Sequence, residues 1–430
     1  MSGRPVSLVE DGGGSTRLEH LGDDELLGLL AGRRWFADAE QGPQSAHVTR
    51  VVHGDDDLEL ALVEVQLTGG TSSTYLVAVG PDGEDATEQL PALARLVALA
   101  GADTPCLAAR ASGVEQSNTS VVLDERVVLK LYRRLEAGPS PEVELLRALE
   151  TAGFAAAPQL RGAIELTGAP FETTLAVVTE YVPSAGGGWE LTLASLAEGN
   201  AGWLPTRASR LGEVTGAMHA ALAATTDLRI APEAAARDGI GRLTAALDEE
   251  LVRLASVHAP PEISRLAGRL DDLRDLIRDV GRAAPPELVV RVHGDYHLGQ
   301  VLWADSEDWV VIDFEGEPGR PLAERRRRAF ACRDVAGMLR SFAYVADASS
   351  LLGGPPAPAG WEASCRAAFV AGWRATVDPR LLPPGEQDLE RLLVLCELRK
   401  LLYELRYELA HRPDWVGIPV SGLERILEAS

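Results

Sequence analysis

The chain is short of aromatic residues, at 5% of 430, and carries only four cysteines and three methionines. Cys106, Cys332, Cys365 and Cys396 lie far apart, with no C-x-x-C pair and no neighbouring run of histidines. That spacing excludes a disulfide framework and a cysteine-based zinc site, so reduced structural thiols are expected. No apolar run approaches the ~18 residues needed for a membrane span. Met1 to Thr16 has Gly and Ser where a secretory leader has its apolar stretch. A soluble cytoplasmic protein is expected. Positive charge is also in deficit: 41 Lys and Arg face 64 Asp and Glu, for a net charge of -23 and a pI near 4.8. This argues against nucleic acid or an anionic membrane as partner and leaves a cationic small molecule open. No internal repeat period emerges, which argues against a solenoid.

What the chain does have is 46% hydrophobic residues, enough to fill the cores of two or three packed units without staples. Its most informative stretch is Arg291-Val-His-Gly-Asp-Tyr-His-Leu-Gly-Gln-Val-Leu302, followed by Trp309-Val-Val-Ile-Asp-Phe-Glu-Gly-Glu-Pro318. Two β-rich apolar runs, Leu288 to Val292 and Trp309 to Ile312, deliver loops bearing His293, Asp295, Gln300, Asp313 and Glu315. Two carboxylates and an amide on loops after strands suit phosphoryl transfer. Asp295 would accept the proton of an attacking hydroxyl, Gln300 would hold a metal, and Asp313 would bridge that metal to nucleotide phosphates.

The run H-G-D, an amide side chain five residues after the Asp, then I-D-F-E resembles the kinases of the aminoglycoside phosphotransferase and choline kinase group. Those enzymes carry Asn where this chain has Gln300. The extended form, with Gln at the metal position, is similar to the maltokinase branch. The chain departs from that branch twice. Arg33-Arg34-Trp35-Phe36 continues into Ala37-Asp38-Ala39-Glu40-Gln41-Gly42 in place of a basic turn, and Arg328-Ala-Phe-Ala-Cys332 replaces a Pro-rich segment. The actinobacterial glucosamine kinases, also maltokinase-like, diverge at the same two places. The resemblance implies an α+β, protein-kinase-like bilobal fold with an N-terminal cap and a large helical C-terminal lobe. It further implies ATP and Mg2+, and an amino sugar, most readily glucosamine phosphorylated at its 6-hydroxyl. Maltose phosphorylated at its anomeric hydroxyl, and a non-catalytic nucleotide- or sugar-binding pseudokinase, remain as alternatives.

Along the chain, the expected divisions are a cap over residues 1–100, a nucleotide-binding lobe with a small antiparallel sheet over 101–183, and a helical lobe with the catalytic loops and sugar site over 184–430. Asp23 to Leu30 and Glu88 to Ala100 read as helices, and Leu58 to Leu67 and Thr74 to Val79 as strands. Ser117 and Ser120 sit in a polar hairpin suited to presenting N–H groups to phosphates. Lys130, within Arg126-Val-Val-Leu-Lys-Leu-Tyr132, is the candidate phosphate lysine, with Glu144 as its carboxylate partner and Glu142 as the alternative. Leu175 to Val182 reads as a buried strand, and the resemblance implies that main-chain groups near Glu180 and Val182 bind the adenine edge. His219 falls on the packed face of a helix and Asp334 either orients the catalytic loop or caps a helix. The arginine run Arg325 to Arg328 suits pairing with nearby acids. Near the C-terminus, Glu404 and Glu408 share a helix face, and with Trp415 they suit a carbohydrate pocket. His297 and Glu315 complete the substrate candidates. A monomer or weak homodimer is expected.

Overall fold

A computed structural model describes residues 6–8, 16–111, 118–255, 266 and 268–429. The chain divides into two compact units, the first comprising residues 1–147, 158–183 and 317–326, the second residues 148–157, 184–316 and 327–430. Among the described residues no helix is long and apolar enough to cross a membrane.

The first unit holds two sheets. Its strands are β1 (Val6–Leu8), β2 (Pro43–Gly54), β3 (Glu59–Leu67), β4 (Ser72–Val79), β5 (Ala109–Ala111), β6 (Asn118–Leu123), β7 (Val127–Tyr132), β8 (Arg134–Leu135), β9 (Leu160–Leu166) and β10 (Thr173–Glu180). The order β2-β3-β4-β8 forms one sheet and β1-β9-β10-β7-β6-β5 the other. Their helices are α1 (Asp23–Leu30) and α2 (Leu90–Leu99); α3 (Pro141–Thr151) begins in this unit. The bounds of α1 are those expected, and Gly22 caps it, its N–H donating to Glu25 Oε2 at 2.9 Å. Leu26 and Leu30 of α1 pack with Trp35, Phe36, Val63, Val65 and Tyr75. Burying each such side chain stabilises the fold by about 1.5–3 kcal/mol.

The departure from a basic turn at Asp38 now has a structural role. Asp38 is fully buried and accepts the hydroxyl of Tyr75 at 2.6 Å. Arg133, also fully buried, donates to Asp85 at 2.7 Å and to Thr119 on β6 at 2.8 Å, with its guanidinium 4.5 Å from the Trp35 ring centroid. One arginine therefore ties the two sheets of this unit together.

The second unit carries two small sheets, β11-β14-β15 and β12-β13, from β11 (Ser184–Gly187), β12 (Glu233–Ala234), β13 (Leu288–Val289), β14 (Val301–Ala304) and β15 (Trp309–Val311). Its helices are α4 (Gly188–Ala197), α5 (Pro205–Ala223), α6 (Gly239–Ala255), α7 (Leu270–Val280), α8 (Cys332–Leu351), α9 (Trp361–Thr376), α10 (Glu386–His411) and α11 (Gly417–Ala429). Helices α5 and α9 cross so closely that a Cβ on Gly212 would lie 2.0 Å from the Phe369 carbonyl oxygen. The strand expected over Leu288 to Val292 stops at Val289; Val290 then makes a single bridge to Ala329. Beyond it the backbone N–H groups are taken by a side chain, described next.

Candidate active site

In the second unit the stretch after β13 is held from below by Asp334 in the first turn of α8. Asp334 Oδ2 accepts the N–H of His293 at 2.8 Å and Oδ1 that of Gly294 at 2.9 Å. His219 Nε2 lies 3.0 Å from Oδ2, and Trp373 Nε1 donates to His219 Nδ1 at 3.0 Å. Because the indole can only donate, Nδ1 must accept, so the proton sits on Nε2 and points at Asp334. Burial pushes Asp334 up, but hydrogen bonds from His219 and Gly294 outweigh it and hold the carboxyl below its usual range. Asp334 orients the loop, and the cap position of α8 belongs to Ala331.

Further contacts fix the rest of the loop. Gly294 takes a φ of 88°, open to glycine without strain, and Arg333 donates to its carbonyl at 3.0 Å. Tyr296 is buried and its hydroxyl lies 2.9 Å from Thr215. A Cβ on Gly337 would lie 2.5 Å from the Tyr296 carbonyl oxygen, so only glycine lets α8 approach this loop. Leu298 N donates to Ser341 at 3.0 Å. The result is a rigid platform carrying Asp295.

Lys400 Nζ, on α10, lies 3.0 Å from Asp295 Oδ1. His297 Nε2 is 3.8 Å from Oδ2, and His297 Nδ1 accepts the Gly299 N–H at 3.0 Å. Burial raises the Asp295 pKa, yet the charge of Lys400, reinforced by His297, holds the carboxyl well below the carboxylate range. Asp295 is therefore an anion at neutral pH. Gln300 Nε2 donates to Asp313 Oδ2 at 3.0 Å, which brings the two sequence candidates for metal binding together. Asp313 has φ 63°, a left-handed conformation that costs a non-glycine residue on the order of 1–3 kcal/mol and is found where a side chain must be aimed. Amide and carboxylate oxygens are hard donors of the kind Mg2+ takes, so these residues fit that ion. Glu315, two residues on, is buried.

In the first unit, Lys130 Nζ lies 3.1 Å from Glu142 Oε2, which also accepts the Tyr132 hydroxyl at 3.0 Å. Glu144 is gripped by both ends of Arg326, at 3.0 and 2.7 Å. Of the two candidates for holding Lys130, Glu142, the alternative, is the one in contact with it at 3.1 Å, while Glu144, the favoured one, engages Arg326. Ser120 faces Lys130 across the β6–β7 ladder. Ser117 lies outside the described residues. The N–H of Glu180 donates to Gln159 and that of Tyr181 to Arg126, so adenine could use neither. Val182 lies two residues beyond the end of β10 and is part-buried. Of the arginine run, Arg325 pairs with Glu136 at 2.8 Å in this unit, and Arg328 pairs with Glu233 at 3.0 Å in the second.

Helix α10 brings Glu404 and Glu408 to one side, beside an aromatic group from α4, α8 and the turn at Trp415. Glu404 Oε2 accepts from Arg340 at 3.0 Å, and Glu408 Oε1 accepts from Tyr344 and, at 2.7 Å, from Arg412. Trp415 is no open platform: its ring stacks on Tyr344 at 5.9 Å with 17° between planes, and Trp189 meets the same tyrosine at 6.1 Å. Glu408 Oε2 is buried and accepts no hydrogen bond among the described residues. An unmet buried acceptor costs about 1–3 kcal/mol.

Motif reading missed Lys400, Arg340, Tyr344 and Trp189. One signal was available for Lys400. The chain has 41 basic residues, of which only Lys130 and Lys400 are lysines, and each holds a carboxylate of a candidate site.

Comparison with known proteins fits this arrangement. Residues 107–316 match the phosphotransferase enzyme family, which defines the class: a phosphotransferase with the protein-kinase-like α+β fold. The chain is 32% identical over 354 residues to the glucosamine kinase of Streptacidiphilus jiangxiensis, covering 77% of this chain and 76% of the relative. It is 31% identical over 325 residues to that of Mycolicibacterium smegmatis, covering 73% and 78%. A solved glucosamine kinase in complex with glucosamine, ADP and inorganic phosphate superposes with a TM-score of 0.73 at 27% identity, over 89% of this chain and 95% of the other. The chain belongs to the glucosamine kinase family.

Proposed function

We propose that this chain transfers the γ-phosphoryl group of ATP to the 6-hydroxyl of glucosamine, giving glucosamine 6-phosphate and ADP. The observation that carries the reading is the pairing of Gln300 with Asp313, on a loop joined to the one bearing Asp295 by His293 Nε2 at 2.9 Å from the Ile312 carbonyl, in a chain of this family. Asp295 orients the acceptor hydroxyl and takes its proton as the oxygen–phosphorus bond forms and the bond from phosphorus to the ADP oxygen breaks. Gln300 and Asp313 would hold Mg2+, which neutralises charge on the phosphates when bound. In the first unit, Lys130, steadied by Glu142, serves the nucleotide phosphates. Ser120 and the main chain at Val182 are the remaining nucleotide contacts proposed.

The free amine of the acceptor is a cation, and the acids of α10 suit it. Glu408 supports this most directly, since a charged N–H donor would satisfy its unmet Oε2. His297, Glu315, Glu404 and the edge of Trp415 are the other proposed acceptor contacts. The test is ADP release with ATP and Mg2+, comparing glucosamine, glucose, N-acetylglucosamine, maltose and kanamycin. Glucosamine should exceed glucose and N-acetylglucosamine by at least about 100-fold in kcat/KM, as expected when a site pairs a charge its analogues lack. Preference for maltose would overturn the choice of acceptor; ATP binding without turnover on any acceptor would point to a pseudokinase.

A further inference from the structure

We propose that Lys400 positions Asp295 for catalysis by fixing Oδ1, so that Oδ2 alone is presented to the acceptor hydroxyl. This rests on the reading of Asp295 as the group that takes the hydroxyl proton. Both side chains are largely buried, each 18% exposed, and Nζ stands 3.0 Å from Oδ1. On the side of Oδ2, His297 Nε2 stands 3.8 Å away, beyond hydrogen-bond reach. The partners are rigid on both sides. Lys400 is flanked on α10 by Glu397, held bidentately by Arg366, and by Glu404, held by Arg340. The loop bearing Asp295 is fixed by Asp334, Arg333 and Ser341.

The residue type matters. An ammonium is a compact point charge that can engage one carboxylate oxygen, whereas a guanidinium presents a fork that grips both. With 39 arginines against two lysines in the chain, arginine is the default cation here, and at this position it would take Oδ2 out of use. Charged and titratable groups facing Asp295 are Lys400 from α10 and His297 from its own loop. His293 Nδ1 lies 3.4 Å from the Asp295 N–H, and Arg333 reaches the neighbouring carbonyl of Gly294.

The test compares Lys400→Met, Lys400→Arg and Lys400→Cys. Both Met and Arg variants should lose about 100-fold in kcat, the scale of a proton-transfer contribution, with the KM for ATP within about threefold. In Lys400→Met the acid limb of the kcat profile should move up by at least about one pH unit, because burial then acts on Asp295 with only His297 opposing it. Treating Lys400→Cys with 2-bromoethylamine, which rebuilds a lysine-like ammonium, should restore at least about a tenth of kcat, with treated wild type as control. Near wild-type kcat in Lys400→Arg would overturn the proposal by showing that any cation serves. Independently of activity, reductive 13C-methylation labels just two lysine side chains and the terminal amine. The Lys400 signal should shift in Asp295→Asn without substrates; no shift would overturn the pairing. A shift together with undiminished turnover in Asp295→Asn would instead overturn the role given to Asp295.

Discussion

His219 donates from Nε2 to Asp334 across 3.0 Å, joining the C-terminal part of α5 to the first turn of α8 with both side chains fully buried. Asp334 uses its remaining acceptor capacity on the N–H groups of His293 and Gly294. One carboxylate thus converts a helix contact into the conformation of the loop that bears Asp295. Replacing it by Asn puts an N–H pair against donors. Asp334→Asn should cost about 2–4 kcal/mol at neutral pH, read as a lower urea midpoint with unchanged m value.

The same group gives a pH signature. Its folded-state pKa is depressed, so its stabilisation is fully present above the unfolded value, about 3.9, and is lost as pH falls through the lower folded value. Urea midpoints between pH 7 and pH 3 should fall in the wild type, and Asp334→Asn should show a smaller fall. An equal fall in both would remove Asp334 as a source of acid sensitivity.

Asp295→Asn keeps the shape of the side chain and removes its charge. Turnover should fall by about 100- to 10,000-fold while ADP affinity, measured by calorimetry, stays within about threefold, because orientation and proton acceptance act on the transition state. Near-normal turnover would reassign the base.

Gln300→Ala and Asp313→Asn each remove an oxygen or charge from the pair expected to hold Mg2+. The Mg2+ concentration giving half-maximal turnover should rise by about tenfold or more in each, with the larger effect for Asp313 because a carboxylate is the stronger ligand. Unchanged Mg2+ dependence in Asp313→Asn would place the ion elsewhere.

Glu142 and Glu144 should separate cleanly. Glu142→Gln loosens Lys130 and should lower kcat/KM for ATP by about 10- to 100-fold. Glu144→Gln breaks the fork to Arg326 and should lower stability by about 1–3 kcal/mol with the ATP KM within about twofold. The reverse pattern would restore Glu144 as the lysine's functional partner.

Legibility in the sequence followed physical locality. Helix α1 and strands β3 and β4 were evident because their periodicity is set by which face is buried, a property of neighbouring residues. Strand β2 was not. It runs Pro-Gln-Ser-Ala-His-Val-Thr-Arg-Val-Val-His-Gly at the edge of its sheet, and exposure there leaves polar residues on both sides of the pattern. The turn at Asp38 looked like a mere departure from a family motif, and its burial beneath Tyr75 depends on a strand 37 residues away.

The sequence by itself determined the chemistry available: a carboxylate, an amide and a second carboxylate delivered in order by loops after short strands. Tertiary structure decided which groups act together. Lys400 meets Asp295 across 105 residues, His219 meets Asp334 across 115, and Glu142 stands beside Lys130. Motif spacing records what the chain can place within one loop. Such distant pairings arise only when buried surfaces of separate helices and strands pack, and the charge on each group is then set by the partner that packing supplies.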